Sequence, residues 1–130
     1  MPVKNSLPRP TEAELELLRV LWERGPLTVR DIHEALSADK STGYTTTLKI
    51  LQNMTAKGLV KRDESQRTHI YSPAIKAEQT QRQLVRDLLQ RAFGGSPAKL
   101  VVQALSEKKA TPAELAEIRS LLDKMENPET

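Results

Sequence analysis

Residues 42–62 read TGYTTTLKILQNMTAKGLVKR, and this stretch decides the fold. Tyr44, Leu48, Leu51 and Met54 or Thr55 recur at the three-to-four spacing of one helix face. Thr45, Thr46, Lys49, Gln52 and Asn53 fall on the opposite face. The helix is expected to run from Thr42 or Gly43 to Lys57, because Gly58 suits a left-handed C-terminal cap. Hydroxyl, amide and ammonium groups on its polar face are those that contact base edges and phosphates in a DNA major groove.

Downstream, residues 59–62 and 68–72 read as two strands, with the polar residues 63–67 turning between them. Pro73 stops the second strand, because it has no N–H to donate. Upstream, Thr28 can cap a short helix with Val29, Ile32 and Leu36 on one face. Before that, Thr11 and Glu14 form a capping box ahead of Leu15, Leu18, Leu21 and Trp22. Gly25-Pro26 ends this first helix. Three helices followed by a hairpin give the order of a winged helix-turn-helix. The fold class expected is mainly α with a small β-hairpin wing.

Charge is distributed to match. Residues 11–39 hold three basic against seven acidic side chains, a net charge of −4. Residues 40–67 hold six basic against two acidic, a net charge of +4. An anionic partner calls for such a concentration, although two oppositely charged solvated faces would also produce it. The DNA-contacting set expected is Ser41, Thr42, Tyr44, Thr45, Thr46, Lys49, Gln52 and Asn53 from the helix, with Lys61, Arg62, Gln66 and Arg67 from the hairpin. Tyr44 is ambiguous, since its ring can pack inward while its hydroxyl meets a phosphate. Strand side chains alternate faces, so only one of Lys61 and Arg62 can point at DNA. The competing reading is a winged helix that binds protein and not DNA.

The rest of the chain is helical by pattern. From about residue 76 to 93, Leu84, Val85, Leu88, Leu89, Ala92 and Phe93 form a stripe that Gly94-Gly95 breaks. Ser96-Pro97 starts a second helix carrying Leu100, Val101, Ala104 and Leu105. Thr111-Pro112 starts a third, with Leu115, Ile118, Leu121, Leu122 and Met125. Three short amphipathic helices are too little for a core of their own. A second copy related by a two-fold axis would cover the stripes, with Leu84, Leu88, Leu89, Phe93, Leu100, Val101, Leu105, Leu115, Ile118 and Leu122 as the seam; the alternative is a monomer in which these helices fold back on the winged helix. The expected organisation is a loose arm over residues 1–10, a winged-helix domain over 11–73, a helical dimerisation domain over 74–126 and a tail over 127–130.

Composition excludes several classes. The chain of 130 residues has no cysteine, so disulfides and thiolate metal sites are out. His33 and His69 stand far apart and read as ordinary surface or half-buried residues rather than ligands. No cofactor, metal or small-molecule ligand is expected. No apolar run reaches the roughly 20 residues of a membrane span, and the first ten residues have no apolar signal core. The expected compartment is the cytoplasm. Catalysis needs a nucleophile, an acid–base pair or a metal in a pocket, and no such constellation stands out, so the chain is not expected to be an enzyme.

These motifs together resemble the penicillinase-repressor (BlaI/MecI) family. The likeness is carried by Tyr44-Thr45-Thr46, by Lys57-Gly58-Leu59 with the basic residues after it, by the first helix ending around Trp22, and by Phe93-Gly94-Gly95-Ser96 with Leu100-Val101. The resemblance implies a dimeric repressor on a palindromic operator, with a winged helix reading DNA and three helices for dimerisation. It also implies, in the antibiotic-resistance branch, a membrane sensor protease that triggers cleavage of the repressor at an Asn-Phe bond. The matching position here is Gln103-Ala104, which departs from that pattern. A copper-responsive branch uses C-terminal cysteines, which this chain does not have.

Overall fold

A computed structural model of the chain describes residues 7–36 and 43–128. Ser41 and Thr42 lie outside the described residues, as does part of the expected N-terminal arm. The chain divides into two compact units, Met1–Val85 and Arg86–Thr130.

In the first unit the order is α1 (Glu12–Arg24), β1 (Leu27–Thr28), α2 (Val29–Leu36), α3 (Tyr44–Lys57), β2 (Val60–Asp63) and β3 (Ile70–Pro73). It closes with the first part of α4 (Ala77–Arg91), which runs across the division. The capping box forms as the sequence suggests. Glu14 N–H donates to Thr11 Oγ1 at 3.2 Å, and Thr11 N–H donates to Glu14 Oε1 at 2.9 Å. Thr28 Oγ1 likewise accepts from Asp31 N–H at the start of α2.

α3 ends in two bonds that define a Schellman cap. Leu59 N–H donates to Met54 O at 2.9 Å, and Gly58 N–H to Thr55 O at 3.2 Å. The cap requires a positive φ, and Gly58 supplies +83°. It also swings Leu59 into the core at the moment the chain leaves the helix, which starts β2 in the right direction.

The core joins Leu17, Leu18 and Leu21 of α1 to Val29 and Ile32 of α2, Leu51 and Met54 of α3, and Leu59, Val60, Tyr71 and Ile75. Burying each large aliphatic side chain contributes about 1.5–3 kcal/mol. Leu17 and not Leu15 completes the α1 stripe. Leu15 and Trp22 are half-buried and line a shallow groove with Ala77, Thr80 and Leu84.

The sheet has three antiparallel strands in the order β1-β3-β2. β2 pairs with β3 through Lys61 opposite Ser72 and Arg62 opposite Tyr71. β1, which the sequence reading does not contain, pairs Leu27 with Tyr71 and Thr28 with Ile70. A two-residue strand carries no period, so only tertiary pairing reveals it. The wing turns without glycine because Asp63 Oδ1 accepts from Ser65 N–H at 2.9 Å, an Asx turn.

The first unit continues past Pro73 to Val85, beyond the boundary expected at 73. Ile75 is buried in the core, Thr80 is buried on α4, and Trp22 Nε1 donates to Ile75 O at 2.9 Å. Removing everything after Pro73 would therefore strip part of the core.

The second unit holds the end of α4, α5 (Pro97–Glu107) and α6 (Pro112–Glu126). Ser96 and Thr111 are N-caps, each followed by proline, and Thr111 forms a capping box with Glu114. Neither α5 nor α6 contains a buried residue. Leu89, Phe93, Leu100, Leu115 and Ile118 are half-buried, whereas Leu88, Val101, Val102, Leu105, Leu121, Leu122 and Met125 are exposed, Met125 at 68%.

Candidate nucleic-acid interface

α3 divides into an inner and an outer face. Thr47, Leu51 and Met54 are buried, with Leu48, Ile50 and Thr55 half-buried beside them. Tyr44, Thr45, Thr46, Lys49, Gln52 and Asn53 are exposed and follow the helical repeat. The sequence reading set Tyr44 among the inward positions as well as among the DNA contacts, and the structure corrects the inward place. Tyr44 is 48% exposed, and Thr47, 1% exposed, takes the inward position. Thr47 can be buried because its hydroxyl is used. It lies 3.5 Å from Gly43 O and 3.1 Å from His33 Nδ1 on α2.

The first turn of α3 contains no acidic residue, and Gly43 provides no side-chain cap. α1 begins with Glu12 and Glu14, and α2 carries Asp31 in its first turn. Of these three helices, α3 alone has no carboxylate in its own first turn to offset the positive end of its dipole.

The basic residues around α3 are not equivalent. Lys57 Nζ is 2.6 Å from Glu14 Oε1, so its charge is spent holding α3 against α1. Burial opposes the charged form of Glu14, but the Lys57 ammonium and the Thr11 backbone N–H outweigh it and lower the carboxyl's pKa. Arg62 is bound to Glu64. Its pKa is raised by the Tyr71 hydroxyl and next by Glu64, so its guanidinium is engaged within the wing. Lys49, Lys61 and Arg67 form no ion pair among the described residues, and all three are exposed. Of the alternatives Lys61 and Arg62, Lys61 is the one that remains unpaired. Gln66, Arg67 and His69 are exposed in the wing segment beyond β2.

The exposed helix, the supporting α2 and the hairpin wing define a winged-helix DNA-binding protein. A family model described as penicillinase repressor matches residues 10–124. The chain belongs to the penicillinase-repressor family.

It is 37% identical over 98 residues to the transcriptional regulator BlaI of Mycobacterium tuberculosis (strain CDC 1551 / Oshkosh), covering 73% of this chain and 71% of that protein. It is 22% identical over 121 residues to the penicillinase repressor of Bacillus licheniformis, covering 93% of this chain and 94% of that one. The solution structure of the DNA-binding domain of the repressor BlaI superposes with a TM-score of 0.50 at 24% identity, over 55% of this chain and 88% of that one. That likeness confirms the winged-helix fold.

As a member of this family the chain is a DNA-binding transcriptional repressor and not an enzyme. A winged helix used only for protein contacts is not favoured. No described helix is long and apolar enough to cross a membrane.

Proposed function

We propose that the chain represses transcription as a homodimer on a palindromic operator, with α3 in the major groove and the wing on the phosphate backbone. The carrying observation is the outer face of α3. Tyr44, Thr45, Thr46, Lys49, Gln52 and Asn53 are exposed together on a helix whose first turn is free of acid. Thr45, Thr46 and Lys49 are the contacts at base edges, and Gln52 and Asn53 extend the reading along the groove. The Tyr44 hydroxyl meets a phosphate. Gln66 and Arg67 hold the backbone from the wing, and Lys61 adds to them. Arg62, committed to Glu64, organises the wing and contributes little to DNA.

Dimerisation is supported by the apolar surface left uncovered on α4, α5 and α6. Leu84, Leu88, Val101, Leu105 and Leu122 are exposed in the single chain, and large apolar side chains left uncovered on successive helices call for a partner surface. Leu89, Phe93, Leu100, Leu115 and Ile118 of the same helices and their connections are half-buried. Any event that splits the dimer relieves repression. Cleavage at Gln103-Ala104, set off by a membrane sensor protease, is one such event. Both residues lie within α5, so a protease must first unwind that helix locally. A repressor of this kind works in the cytoplasm, where its operator is.

Titrating the full chain against a duplex bearing its operator and an unrelated duplex, over a range of salt, tests this reading. Affinity should fall linearly with salt on logarithmic axes, by about 0.9 for each phosphate neutralised. It should also differ between the two duplexes by at least roughly 10³-fold. Equal affinity for both would remove sequence-specific operator binding, and no dependence on salt would return the winged helix to the class of protein-contact modules.

A further inference from the structure

We propose that His33 is a positioning residue for DNA reading, holding the first turn of α3 and the Tyr44 ring in the arrangement that specific binding requires. The proposal rests on the reading of α3 as the DNA-contacting helix.

His33 stands half-buried on α2 and touches α3 twice. Its Nδ1 lies 3.1 Å from Thr47 Oγ1. Its ring meets the Tyr44 ring edge-to-face, with centroids 5.9 Å apart and planes at 79°. The Thr47 hydroxyl has one proton to give, and it lies 3.5 Å from Gly43 O at the start of the same helix. The His33–Thr47 contact is a hydrogen bond in either tautomer: an Nδ1–H donates to Thr47 Oγ1, or the Thr47 hydroxyl donates to a bare Nδ1. A single imidazole thus connects α2 to a buried residue of α3 and to the exposed residue that begins it.

Consequences for binding follow from where these residues stand. Tyr44, Thr45 and Thr46 form the first turn of α3 and are all exposed. A half-exposed tyrosine with no neighbour samples several χ1 rotamers, and an edge-to-face partner selects one of them. Hydrogen bonds to base edges tolerate only a few tenths of an ångström in length. A first turn that tilts or frays loses those bonds. Electrostatic attachment to phosphate is far less demanding, and it supplies nearly all of non-specific binding. His33 therefore governs the difference between specific and non-specific affinity and leaves overall attachment almost unchanged. A residue that only stabilised the fold would not separate the two.

The experiment uses the full chain and two duplexes of equal length. One is selected by the parent protein from a random-sequence pool, and the other is unrelated. His33→Ala should weaken binding to the selected duplex roughly tenfold while changing the unrelated one by less than about twofold. His33→Asn keeps an amide, able to donate or to accept, close to the Nδ1 position and should recover about threefold of the loss. In a Tyr44→Ala background one of the two contacts is already gone, so His33→Ala should cost no more than about threefold. Circular dichroism on each variant checks that the helices remain.

Losses of equal size on both duplexes would overturn the proposal. So would His33→Ala within about twofold of the parent on the selected duplex, or losses from His33 and Tyr44 that simply multiply. Parent-level affinity in both Thr46→Ala and Lys49→Ala would overturn the reading of α3 itself, and this proposal with it.

Discussion

Thr46 and Lys49 stand one turn apart on the outer face of α3, both exposed, and neither forms a side-chain hydrogen bond or ion pair among the described residues. Replacing either by alanine should leave stability unchanged and cost about 1–3 kcal/mol at one base pair of the operator. Binding measured against single-base variants of the duplex checks this, because the loss disappears where that base pair is already wrong. Arg67 and Arg62 make a second, opposed pair. Arg67→Ala should weaken binding to all sequences alike and flatten the salt slope by about one unit. Arg62→Ala should leave the slope nearly unchanged, since Glu64 already neutralises that charge. Periodicity in the sequence separates the two faces of α3 but misplaces Tyr44, because an aromatic ring at the start of a helix suits either face. Burying Thr47 instead depends on a histidine fourteen residues away, which no local pattern contains.

At the level of elements, the contact between α1 and α3 has a measurable pH dependence. Glu14 is 5% exposed, closes the capping box of α1 and accepts from Lys57 of α3. Its pKa is lower in the folded chain than in the unfolded one. Its contribution is therefore complete above the ordinary glutamate pKa of about 4.3, and is lost as pH falls through the lower folded value. Thermal melts from neutral to acid pH should show this loss. Glu14→Gln should remove about 1.5–3 kcal/mol at neutral pH and make the melting temperature less sensitive to acid. An unchanged acid profile in that variant would show that other carboxylates carry the effect. The caps of α1, α3, α5 and α6 are legible in the sequence because each is built from residues within a few positions. The role of Lys57 is not legible, because Glu14 and Lys57 meet only when α1 packs on α3.

For the whole molecule, the division at Val85 sets the decisive truncation. Residues 1–85 keep Ile75, Thr80 and the Trp22 hydrogen bond, so they should fold. They lack α5 and α6 and should remain monomeric. A single winged helix should bind DNA at a Kd of about 10⁻⁵ M, the range of non-specific attachment. Joining two of them at an effective concentration of order 10⁻³ M should bring the pair to about 10⁻⁷ M before any sequence preference is added. Sedimentation and titration of the truncated and full chains measure both steps. A dimer of residues 1–85, or operator affinity within about threefold of the full chain, would place the seam elsewhere. Truncation after Pro73 should instead give a poorly folded product.

What the sequence determined by itself is the order of elements and the chemistry of the outer face of α3. Capping boxes, Gly58 and proline starts are all local, and the chain obeys each of them. Tertiary structure decided three further matters. It added β1, because a two-residue strand exists only through its pairing with β3. It carried the first unit on to Val85, because Ile75 and Thr80 are buried by residues far away in sequence. It also sorted equal formal charges into those spent internally, on Lys57 and Arg62, and those left facing outward, on Lys49, Lys61 and Arg67. Charge in a sequence is a count, whereas charge available to a partner depends on which carboxylates the fold brings within reach.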